Sequence, residues 1–134
     1  MFIKRKQIGI FAVSLALLAQ PLAAKTLRDV KSVDDALFQI SLAYSIQKHC
    51  GSYRPRLFRA IAFRNRVVSD ARSHGFTDRQ IEDHVDSKVE QARMQVLVDD
   101  YLVTAGYEAG STTGYCAVGA QEVAASTPAG RLLR

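Results

Sequence analysis

The heptapeptide Gly75-Phe76-Thr77-Asp78-Arg79-Gln80-Ile81 carries the plainest local signal in the chain. Thr77 and Gln80 have the spacing of a capping box, in which each side chain satisfies a free backbone N–H of the other. Phe76 and Ile81 have the spacing of a hydrophobic staple around it. Gly75 supplies the stop of whatever helix comes before. One helix therefore ends here and another begins, an arrangement that predicts an antiparallel helical hairpin.

On the C-terminal side, Ile81, Val85, Val89, Ala92 and Val96 recur at helical spacing and predict one helix running to about Thr104, with Gly106 as its cap. From Met94 onward Leu97, Val98, Tyr101 and Leu102 remove its polar face, so that half is expected to be enclosed. On the N-terminal side, Pro55 suits the first turn of the preceding helix, and Leu57, Phe58, Ile61, Ala62 and Val68 form its apolar face. An earlier helix opens at a capping-box-like Ser32 and Asp35, carries Val33, Leu37, Ile40 and Tyr44 beside a second stripe of Phe38, Leu42 and Ile46, and stops at Gly51. After a Gly/Ser/Thr-rich loop at Gly106–Gly114, Cys116–Ala125 suits a short fourth helix, and Leu132 and Leu133 predict that the tail docks. The expected fold is all-α, a small four-helix domain.

Residues 1–24 have the plan of a secretory leader: Lys4, Arg5 and Lys6, an apolar run from Ile8 to Leu18, then a segment ending at Ala24. The run is shorter than the roughly 20 residues a spanning helix needs. Cleavage near Ala24 leaves residues 25–134 as a single helical domain, periplasmic and without stable membrane insertion. Three of the 18 basic residues fall in the leader and none of the 13 acidic ones do, so the mature charge is only +2 and is no argument for nucleic acid. In an oxidising compartment Cys50 and Cys116, the two cysteines, are expected to form one disulfide. In the chain-entropy picture a loop of that length stabilises the fold by about 4 kcal/mol.

Catalytic signatures are missing from the sequence. His49, His74 and His84 lack metal-site spacing, and no nucleophile elbow or phosphate loop occurs. The expectation is a non-enzymatic protein without cofactor or metal. His74 and His84 read as helix-end and surface residues, and Asp99 as a structural partner for Arg64 or Arg72. Charge is unevenly placed, with seven basic residues and one acidic from Lys48 to Arg72, against seven acidic and three basic from Asp78 to Asp100. Pairing across the hairpin accounts for this in one reading. In the other, Arg56, Arg59, Phe63 and Arg66 fall at 100° per residue on the face opposite Leu57, Ile61 and Val68 and form a partner-binding surface. Burial of Phe63 beneath the C-terminal tail is the competing placement.

Leu27-Arg28-Asp29-Val30, Gly75-Phe76-Thr77-Asp78 and Tyr115-Cys116-Ala117-Val118-Gly119 give the chain a resemblance to an uncharacterised family of small exported bacterial proteins, a domain of unknown function. That resemblance implies export, a helical fold and paired cysteines, and no site residues. In architecture the chain also resembles periplasmic acid-stress chaperones and immunity proteins that neutralise exported toxins. The expected function is binding of another protein, as an inhibitor or immunity factor; an acid-stress chaperone and a small hydrolase are the alternatives.

Overall fold

The computed structural model describes residues 24–134. The leader assigned to residues 1–24 thus lies outside the described residues, Ala24 excepted. After a 3-10 turn at Leu27–Asp29 come α1 (Lys31–His49), α2 (Leu57–Ser73), α3 (Asp78–Asp86), α4 (Lys88–Thr104), α5 (Thr112–Ala124) and α6 (Pro128–Arg131). The described residues are mainly helical and without strands, as expected, but they form six helices rather than four. None of them is long and apolar enough to cross a membrane.

One additional helix comes from the tail and the other from a break at Ser87. This residue is extended (φ −62°, ψ 121°) and its hydroxyl accepts the Glu90 N–H. Ser87-Lys88-Val89-Glu90 is a Ser-x-x-Glu start signal lying inside the apolar stripe that predicts one long helix. The break also turns the stripe: Val89 and Val96 are exposed, while Ile81 of α3 and Met94, Val98 and Leu102 of α4 are buried.

The turn and helix start from Gly75 to Ile81 form as the heptapeptide predicts, with α3 packed against α2. Gly75 takes φ +92°, a left-handed value that favours glycine. Thr77 Oγ1 accepts the Gln80 N–H at 3.2 Å, the Thr77 N–H donates to Gln80 Oε1 at 2.9 Å, and Phe76 and Ile81 are both buried. Helix α1 starts differently. Its Ser32 hydroxyl donates to Asp70 at 2.6 Å instead of capping, and the box sits upstream, where the Thr26 N–H donates to Asp29 at 2.7 Å. Pro55 precedes α2 rather than entering its first turn, and pairs in an isolated antiparallel bridge with Leu133.

Helix α1 belongs to both parts of the core. Its Leu42 and Ile46 pack with Val98, Leu102, Tyr115, Val118 and Leu133. Its Val33 packs with Leu27, Val67, Ala71, Phe76 and Ile81. Cys50, just past α1, is bonded to Cys116 in the second turn of α5. The tail docks as predicted. Arg54 and Arg134 exchange backbone hydrogen bonds at 2.8 and 2.9 Å, and the Arg56 N–H donates to Leu132 O at 2.7 Å. Gly130 lies so close to α5 that a Cβ there would stand 2.0 Å from the Glu122 carbonyl oxygen. Buried Glu122 receives hydrogen bonds from the hydroxyls of Tyr101, at 2.5 Å, and Thr127.

Two stability outcomes follow from these contacts. Gly130→Ala forces the tail off α5 and lowers unfolding free energy by about 2 kcal/mol, the scale of an overpacked core site; urea denaturation measures it, with loss of amide protection at Leu132 and Leu133. The double variant Cys50→Ala, Cys116→Ala lowers the same quantity by about 4 kcal/mol.

Candidate functional site

Helix α2 is rotated relative to the expected placement. Ala60, Phe63, Val67 and Ala71 pack against the core, whereas Leu57, Phe58 and Ile61 are 65%, 90% and 56% exposed. Apolar residues cover more than half of its circumference, so spacing alone did not fix which arc turns inward. Of the partner-binding residues read from the sequence, Phe63 is half-buried against both parts of the core and beside the tail, with the Arg66 guanidinium 5.4 Å from its ring centroid. Arg56 Nε donates to the Leu133 carbonyl at 2.8 Å and so fastens the tail. Arg59 and Arg66 remain exposed beside Phe63.

The arc of α2 left uncovered borders an apolar groove of about 430 Å³, floored by Val33, Leu37 and Ile40 of α1 and walled by Ile61 and Val68 on one side and Ile81 and Val85 on the other. Its shape comes from α3, nine residues long, which runs from the Gly75 turn to the Ser87 break and seats Ile81 alone in the core. Val85 is left 46% exposed at the edge. Arg64 stands at the α2 rim, Glu82 and Asp86 at the α3 rim. Size and lining are those of a site for an apolar group, and Leu57 and Phe58 provide further exposed apolar surface on α2.

On the far side of α3, Glu90 anchors a charged cluster. Arg28 Nε reaches its two oxygens at 2.8 and 2.9 Å, and Arg93 Nε reaches Oε2 at 3.0 Å while the same guanidinium grips Asp34. The bond from Arg28, chiefly, and that from Arg93 hold the Glu90 carboxyl down to about 2. His84, which reads from sequence as a surface residue, is a buried member of this cluster. Its side chain is 10% exposed, and Nε2 lies 3.6 Å from Glu90 without a hydrogen-bond partner. Burial lowers its affinity for a proton. Both residues line a second cavity of about 510 Å³, yet the Ser41 hydroxyl at that wall donates to Leu37 O. The histidine thus lacks the contact with a nucleophile that acyl transfer uses.

Asp99 does not meet an arginine; it accepts from Gln95 at 3.0 Å and from the Tyr115 hydroxyl at 3.4 Å. Among the described residues Arg72–Asp78, at 2.6 Å, is the one ion pair joining the basic and acidic segments. Cross-hairpin pairing therefore leaves Arg59, Arg64 and Arg66 uncompensated. No group of three His, Cys, Asp or Glu side chains among the described residues is placed to hold a metal ion.

The profile of a family of unknown function, DUF5333, matches residues 25–134. The chain belongs to that family. No curated protein and no solved structure matches the chain. Membership in DUF5333 covers the whole described domain, groove and charged cluster included, and assigns no chemistry to either.

The cluster predicts a specific acid response. The unfolded chain protonates Glu90 near the ordinary 4.5, whereas the folded chain resists until about 2. Glu90 therefore stabilises the fold fully above 4.5, and its contribution drains away between those two values. Thermal melting followed by circular dichroism should show the wild type losing stability through that window. Glu90→Gln should be less stable at pH 7 and fall less steeply between pH 4.5 and 2.

Proposed function

We propose that the protein is a non-enzymatic binding module of the periplasm that holds an amphipathic helix of another protein in the groove between α1, α2 and α3. The carrying observation is the uncovered apolar arc of α2, Ile61 above all, facing Val85 across a groove floored by α1. Helix-in-groove recognition uses such a slot, filled by anchors spaced i, i+3, i+4 and i+7. The rims set the polarity of the guest: acidic residues on the edge facing Arg64, basic residues on the edge facing Glu82 and Asp86. An inhibitor or immunity factor that covers a segment of its target fits this mode. The leader-like residues 1–24 and the Cys50–Cys116 bond support an oxidising destination.

The acid-chaperone reading has less support: acid weakens the ties that Glu90 makes to Arg28 and Arg93, but the apolar groove is open without any such release. A hydrolase has less still, given the lone His84.

Photo-crosslinking residues placed at positions 61 and 85 in the producing bacterium test the proposal. The expected result is one shared protein adduct from both positions and none from position 120, an exposed site on α5. Ile61→Glu should abolish the adduct formed from position 85 while changing stability by no more than about 0.5 kcal/mol, as at other exposed positions. Equal adducts from all three positions, or none from 61 and 85, overturn it.

A further inference from the structure

On the opposite side of α2 from the groove, Arg59 and Arg66 share a concavity of about 340 Å³ with Arg131 of α6. We propose that this concavity is a site for a small dianion with an apolar body, either a phosphate monoester or a dicarboxylate. A spacing of seven positions brings Arg59 and Arg66 to the same face of α2, about 10 Å apart along its axis. Arg131 closes the third side. Among the described residues none of the three has an ion pair, and no carboxylate lines the concavity. Asp70, the acidic residue of α2, is turned to Ser32 and His74 instead.

Three arginines that line one recess with no carboxylate among its lining residues match a doubly charged anion better than a single carboxylate. The recess is prepared for it. Arg66 rests over the Phe63 ring, and Arg131 is carried on a tail fastened by the Arg54 and Arg56 backbones. Phe63, Pro128 and Leu132 form an apolar floor that strengthens each charge interaction above it. A bare inorganic ion leaves that floor uncovered, whereas the volume suits a small organic molecule.

NMR titration of the oxidised protein with phenyl phosphate and with phthalate, at constant ionic strength, tests the site and separates the two ligand sources. At least one of them should give saturable shifts confined to residues 59–66 and 128–132. Binding should be about tenfold tighter than that of benzoate or inorganic phosphate, the step expected for one lost charge-assisted contact. Arg66→Gln and Arg131→Gln should each weaken it about tenfold. Arg79→Gln, an equal charge change on α3, and Ile61→Glu, in the groove, should leave it intact. Absence of saturable shifts with both probes, equal affinity for benzoate, or equal weakening by Arg79→Gln overturns the proposal.

Discussion

The bond between Cys50 and Cys116 fastens the C-terminal end of α1 to the second turn of α5, and α1 contributes fully buried residues to both parts of the core. With that end fixed, Leu42 and Ile46 are held against Val98, Leu102, Tyr115 and Val118, and the other half of α1 is left to support α2 and α3. Neighbouring contacts reinforce the clamp. The ring of His49, the last residue of α1, stacks on Tyr115 at 4.6 Å, and a Cβ at Gly119 would stand 2.8 Å from Ile46 and 2.7 Å from Tyr53. Small residues on α5 are thus what allows α1 to approach closely.

The half of α1 farther from this clamp is bordered by open space on two sides. Helix α3 is too short and too polar to cover α1, and it meets the core through Ile81 while Val85 stops at the edge. Cavities open on both of its sides, one apolar against α2 and one holding His84 and Glu90 against α4, and both reach Leu37 and Ile40. The Ser87 break is the local cause, since an unbroken helix would carry α3 along the line of α4. Glu90 has a double part there: its backbone N–H receives the cap, and its carboxylate collects Arg28 and Arg93.

Features encoded locally are legible in the sequence. The capping box and staple from Phe76 to Ile81, the cysteine pair and the docking of Leu132 and Leu133 were all legible. Features that depend on which neighbour arrives are not. Leu57, Phe58 and Ile61 look like core, and only the placement of α1 and the tail decides that Phe63 and Val67 turn inward instead. The break at Ser87 was present as a Ser-x-x-Glu motif but was outweighed by a stripe that continues across it. The Glu90 cluster was invisible for a related reason: Arg28 and Asp34 lie 62 and 59 residues from their partners, beyond any spacing rule.

The tail has a bearing on timing. Ala129 donates to Gln39 across 90 residues of sequence, and Leu132 and Leu133 finish a hydrophobic layer that α1 begins. Contacts so distant along the chain form late. The layer that Leu132 and Leu133 finish is therefore completed after locally encoded features, such as the capped turn from Gly75 to Ile81, have formed.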